Sequence, residues 1–337
     1  MVTNSDKIQN EDYNQLRTNT SSIYVTQWGQ SMRSVDLSNS DTIEAAQLDI
    51  IFKDIQSVHV HQTGSINSAL AVPSAGLTIG ADTSQSYNQS TGAKGAVTGG
   101  AAMGHNDYIG AVTTINNYNP SHLSYPAANF TPSSARSSTR TATWGVGTAT
   151  QPTTITHTVT VTFASVADKN YFFNAGGQIA FSASATNIGT GASQLKNQDW
   201  ADLLAAMSTV YFDKHSTSAS SGTSNSKGSD DLTSSYQTLF TKTGSGNYND
   251  NYWQLQGRND SSTVIRFRIN ISDSDAGTGN IAGPGTETPI DEPVTADITS
   301  NVLSRRPDSS FVYNSTTYTA CDLPHPTLTN ITLLTAN

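Results

Sequence analysis

Residues 153–163 alternate without a fault: Ile155, His157, Val159, Val161 and Phe163 fall on one side, and threonines fill the other. A period of two marks a strand with one buried face and one polar face. A slip of one residue would turn every apolar side chain to water, so the register of this strand is strongly specified. A strand cannot stand alone. A chain with this segment must build a sheet and cover one of its faces. His157 interrupts the apolar face. There it reads as a hydrogen-bonded core or interface histidine rather than a metal ligand.

Shorter strand signals recur at 108–115, 209–213, 235–241, 252–257 and 263–272, with Arg258-Asn259-Asp260-Ser261 as the turn joining the last two. At the centre, residues 169–184 read as a β-hairpin. Tyr171 and Phe173 share one face before an Asn174-Ala175-Gly176-Gly177 turn, and Ile179 and Phe181 share one after it. Gly176 and Gly177 can supply the positive φ of a tight turn.

Helical spacing is confined to a few places. Asn10 is a candidate cap for a segment containing Tyr13 and Leu16. Ser40 or Asp41 caps a stronger helix in which Leu48, Ile51, Phe52, Ile55 and Val58 trace one face until Gly64. A small helical hairpin cannot bury both stripes alone, so it is expected to pack on the β domain or on neighbouring subunits, with Leu48, Ile51, Phe52 and Ile55 as the candidate assembly face. Asn197 is the expected cap of a third helix, running through Trp200 to Met207. The expected fold class is mainly β with a few helices. It comprises an N-terminal helical hairpin (1–64), an antiparallel β-sandwich-like domain (65–275) and an extended Gly/Pro-rich C-terminal arm (276–337). The domain carries one helix near 197–207 and long loops at 116–152 and 214–231.

Composition narrows the function. Of the 337 residues 13% are charged and 35% hydrophobic, and Ser, Thr and Asn fill about a third. That mix suits strands, turns and an uncharged polar surface. The net charge is −9, with scattered Lys and Arg. This excludes nucleic acid as an expected partner, because phosphate contacts need clustered cations. No apolar run approaches a membrane span, so no membrane partner is expected. The single Cys321 cannot form an intrachain disulfide. The first residues lack the basic-then-apolar pattern of a signal peptide, which points to synthesis in a cytoplasm.

The sequence holds few groupings that could carry chemistry. His59 and His61 would point to different sides of a helix, and two ligands make no zinc site. Asp273-x-Asp275 and Asp230-Asp231 offer oxygens for calcium but lack the glycine and distal glutamate of an EF-hand loop. Gly92-Ala93-Lys94-Gly95 has the wrong spacing for a phosphate loop, and no nucleophile elbow occurs. No carboxylate pair stands out for glycoside cleavage. The aromatics Tyr248, Tyr252, Trp253 and Tyr171-Phe172-Phe173 read as strand core before sugar platforms. No enzyme activity and no cofactor are expected.

The run Tyr171-Phe172-Phe173-Asn174-Ala175-Gly176-Gly177-Gln178-Ile179-Ala180-Phe181-Ser182 resembles a segment of virion structural proteins of tailed phages, of the cyanobacterial and marine type. Glu11-Asp12-Tyr13-Asn14, His61-Gln62-Thr63-Gly64, Asn197-Gln198-Asp199-Trp200, Tyr236–Thr241 and Tyr252–Leu255 resemble further segments of that family in the same order. The similarity spans about 8–275, with gaps; the 116–152 loop and the tail depart from it. It implies a particle component of the tail, neck or baseplate, made in the bacterial host and present in the virion as a homo-oligomer among other virion proteins. It brings no catalytic residues. Asn174, Gly176, Gly177 and Trp200 are then turn and packing residues. The competing reading is a receptor-binding fibre or adhesin that contacts host surface glycans through 116–152 and 214–231. A tail polysaccharide depolymerase ranks below both.

Overall fold

The computed structural model of the chain describes residues 10–38, 41, 43, 45–63, 87–88, 93–94, 130–146, 152–189, 194–275, 279–280, 289–290, 292–307, 310–313, 316–319 and 323–335. The protein is mainly β: among the described residues four α-helices accompany two large antiparallel sheets and three two-stranded ladders. Contacts divide it into two units. The first gathers Met1–Thr131, Asn170–Gly176 and Arg306–Pro324. The second gathers Pro132–Lys169, Gly177–Arg305 and His325–Asn337.

The second unit is a β-sandwich. Its strands are β1 (Phe130–Pro132, at its margin), β2 (Arg136–Arg140), β3 (Thr154–Thr162), β4 (Gln178–Thr186), β5 (Val210–Phe212), β6 (Thr217–Ser218) and β7 (Thr223–Ser224). They continue as β8 (Gln237–Thr243), β9 (Tyr252–Ser261), β10 (Val264–Ser272), β11 (Asp297–Pro307), β12 (Thr327–Leu328) and β13 (Thr332–Thr335). One sheet runs β12-β3-β10-β9-β8-β7, with β13 also on β3. The other runs β1-β11-β4-β5-β6, with β2 also on β11.

The alternation of β3 is realised as expected, with Ile155, His157, Val159 and Val161 buried. Its neighbour β10 repeats the pattern with Ile265, Phe267, Ile269 and Ile271. The buried faces of the two sheets meet at Phe267, whose ring lies 4.9 Å from Phe181 on β4 and 5.1 Å from Phe212 on β5. Edge-to-face aromatic contacts of this kind fill the space between two sheets without stacking faces. On the outer face of β10, Arg268 lies 3.8 Å from the Tyr236 ring centre, and Arg266 pairs with Asp260 at 2.7 Å. The Arg266-x-Arg268 pair is thus an outward strand face. The β9–β10 turn falls at Ser262-Thr263 rather than at 258–261, because β9 continues through Ser261.

The expected central hairpin is not formed. Its first half is a helix, α3 (Val166–Asn174), and only its second half is a strand, β4. The cause lies upstream. The Ser165 hydroxyl accepts the Asp168 N–H at 3.0 Å and donates to the Asp168 carboxylate at 2.7 Å, a capping interaction that starts a helix. The helix ends where the Ala175 N–H reaches Tyr171 O and Gly176 adopts φ +84°, the left-handed stop that glycine favours. Gly177 does not take a positive φ.

Three further expectations shift. Helix α4 spans Gln194–Met207, so Asn197 sits inside it and is not its cap. The loop read at 116–152 contains β1 and β2, both at β11, and the 214–231 loop contains β6 and β7. The region read as a C-terminal arm supplies β11 to the interior of one sheet and β12 and β13 to the other. The strand expected at 108–115, Gly64, the 92–95 segment (save for residues 93–94) and Cys321 lie outside the described residues.

In the first unit, α1 (Asn10–Tyr24) packs on α2 (Ala45–Thr63). The Asp41 carboxylate accepts the Ser38 N–H at 2.7 Å and shapes the turn before α2; Ser40, the other expected cap, lies outside the described residues. Asp54 is fully buried on α2, where it accepts the N–H groups of Arg33 and Ser34, the Ser34 hydroxyl and the Arg33 guanidinium. That single carboxylate pins the connection between the two helices.

Candidate functional site

Leu48, Ile51, Phe52 and Ile55 are fully buried in one cluster with Tyr13, Leu16 and Trp28. The stripe read as a candidate assembly face therefore closes on the chain's own helix α1 and the segment after it. It closes because the connection supplies Trp28 and Leu37 to the space that two bare helices would leave open.

The other motif residues also serve packing. His61 is buried with its ring 4.4 Å from Trp28, and burial pushes its pKa down to about 3, so it is neutral. Asn174 ends α3 and donates to Gln27 O at 2.9 Å. Trp200 is buried on α4 with its ring 5.3 Å from Trp144. Trp253, Phe172 and Phe173 are core residues. Asn174 and Gly176 belong to the first unit, and Gly177 and Trp200 to the second.

One polar constellation does converge, within the sandwich unit. Lys196, in the first turn of α4, is fully buried. Its Nζ lies 2.8 Å from Asp273 Oδ2, 3.0 Å from Asp275 Oδ1 and 2.8 Å from the Glu292 carbonyl oxygen. The carboxylates are placed by the end of β10. The Asp273 N–H donates to Thr153 O, and Asn251 Oδ1 accepts the N–H groups of Ser274 and Asp275. Gly145, at φ +102°, closes against the carboxyl: a Cβ there would come 2.2 Å from Asp273 Oδ2. Trp144 precedes Gly145, and Trp200 follows Lys196 by one turn, so the Trp144–Trp200 pair stands beside the charges.

The two carboxyls are unequal. Burial, and after it the neighbouring Asp275, pushes Asp273 up to about 8 against the pull of Lys196. Burial acts upward on Asp275 as well, but Asp273, Lys196 and Asn251 outweigh it and hold that carboxyl below its ordinary value. At neutral pH the pair therefore carries one proton and one negative charge, the charge that a single ammonium neutralises. Asp273 Oδ1 is buried and accepts no hydrogen bond.

The sequence showed only the Asp273-x-Asp275 spacing, oxygens that calcium could use but without the rest of an EF-hand loop. Lys196 fills that role from 77 residues away, and no set of three metal-ligating side chains occurs among the described residues. Asp230 and Asp231 are likewise engaged, the first near Lys214 and His215 and the second by the Gly228 N–H. The chain has no significant match among protein-family models, curated proteins or solved structures.

Proposed function

We propose that this chain is a structural component of a tailed-bacteriophage particle, in the tail, neck or baseplate, and that it works by assembling with copies of itself and with neighbouring virion proteins. One observation carries the reading. The residues at which the family resemblance concentrates (His61, Asn174 and Trp200) each hold a packing or tethering position in the fold. Residues placed for architecture rather than chemistry suit a protein whose product is a shaped body. The outward faces suit it too, since threonines line the outward side of β3 and Ser182, Ser184 and Thr186 that of β4.

Mass spectrometry of purified particles tests the proposal. The protein is expected at a stoichiometry that matches a ring or a symmetric fibre. A protein made during infection but missing from particles would refute it. Particles that assemble with a chain shortened within 214–231, yet no longer adsorb to cells, would point instead to a receptor-binding role.

A further inference from the structure

The Lys196–Asp273–Asp275 constellation holds every part needed to make a covalent bond. A primary amine touches one carboxyl, a second carboxyl touches the same amine, and the three groups are sealed from water. Proximity of this kind converts a bimolecular condensation into an intramolecular one. We propose that Lys196 Nζ and the Asp273 carboxyl carbon join in an intramolecular amide, with Asp275 as the acid–base group.

Asp275 carboxylate takes one proton from the Lys196 ammonium and leaves a neutral amine. The amine attacks the carbonyl carbon of protonated Asp273, where the new C–N bond forms and the C–OH bond breaks. The departing hydroxyl leaves with one of the two remaining amine protons as water, passed through Asp275. The products are one amide N–H, one water and a neutral Asp275. No oxidant, metal or activated donor is required.

Three features favour the reaction over a plain ion pair. Asp273 keeps its proton near neutral pH, and a neutral carboxylic acid is the electrophile that an amine needs. Asp273 Oδ1 is buried and accepts no hydrogen bond, so it is the oxygen that carries the acid's proton, beside Asp275. Gly145 leaves no room for a side chain beside Oδ2, where an added Cβ would come to 2.2 Å, so the carboxyl is closed in on the side of the amine's partner oxygen. The bond would tie α4 to the end of β10 in a chain whose one cysteine offers no disulfide. The inference rests on these groups alone and stands apart from the virion reading.

The intact mass of the purified full-length protein, measured under denaturing conditions, tests it. The expected mass falls short of the sequence mass by one water, and proteolysis releases a branched peptide joining Lys196 to Asp273. Asp275→Asn is expected to keep the folded near-ultraviolet tryptophan signal and to show the full sequence mass. A folded parent protein at full sequence mass overturns the proposal. So does a water loss that maps elsewhere. Bond formation undiminished in Asp275→Asn overturns the role given to Asp275.

Discussion

His157 shows how one residue on a strand face sets a pH dependence. It is buried, with Nδ1 2.8 Å from Ser300 Oγ on the facing sheet and Nε2 unpaired. Burial first, and Arg140 second, push its pKa from 6.5 down to about 4. As pH falls, the unfolded chain takes up the proton first. The stabilisation is therefore complete above about pH 6.5 and is lost as pH falls toward 4, by about 3 kcal/mol in all. Asp273 acts in the opposite sense while its carboxyl is free, because a raised carboxyl loses its stabilisation as pH rises through about 8. A difference measurement separates the two. Unfolding free energies of the parent and of His157→Leu are expected to converge, or cross, by about 3 kcal/mol between pH 7 and pH 4. Parallel curves would contradict a buried neutral histidine. Gly145→Ala probes the next residue of interest. A left-handed backbone costs a non-glycine residue roughly 1–3 kcal/mol, and the added Cβ meets Asp273 Oδ2 as well. A urea midpoint unchanged from the parent would contradict this account of Gly145.

At the scale of elements, helix α4 contrasts local propensity with tertiary demand. Asn197 is a middling helix former inside the helix, where alanine would be locally better. Its side chain instead reaches out of the element. Nδ2 donates to Ile188 O and Thr295 Oγ1 at 2.8 Å each, and Oδ1 accepts the N–H groups of Thr295 and Ala296. Asn197→Ala strands those buried groups, so a net loss of about 3 kcal/mol is expected despite the propensity gain. A melting temperature at or above that of the parent would show that water satisfies them equally well. The same conflict explains what could be read in advance. Strand β3 was legible because its period is local and unbroken, and the Trp200 helix because Trp200, Leu203, Leu204 and Met207 sit at helical spacing. Helix α3 was hidden because Tyr171-Phe172-Phe173 favours strands and Gly176-Gly177 mimics a hairpin turn, while the deciding Ser165–Asp168 pair lies upstream. The Lys196 constellation was not legible at all, since no periodicity records a contact across 77 residues.

Across the sandwich unit, the C-terminal segment decides whether β3 lies inside its sheet or at its edge. β3 pairs along one side with β10. Its other side is covered by β12, at Thr327↔Thr162 and Leu328↔Val161, and by β13, from Thr332↔Thr158 to Thr335↔Ile155. The Thr329 N–H also donates to Thr160 O, which bridges the gap between the two short strands. Without this cover, the most regular strand of the chain would present a row of free N–H and C=O groups, flanked by threonines with no charge to repel a partner. Such an edge is a template for pairing with another chain. Deleting residues 327–337 is therefore expected to lower stability and to produce concentration-dependent association, seen by light scattering as growth in mass. Restoring the segment as a synthetic peptide should suppress that growth by pairing with the vacated edge. A truncated chain that stays monomeric at the parent's melting temperature would mean that β12 and β13 cover β3 without protecting it. If the truncation associates and the peptide reverses it, then the same backbone edge is a surface through which copies of this chain can be joined when the tail is displaced. That gives the assembly proposed above a definite place to be sought.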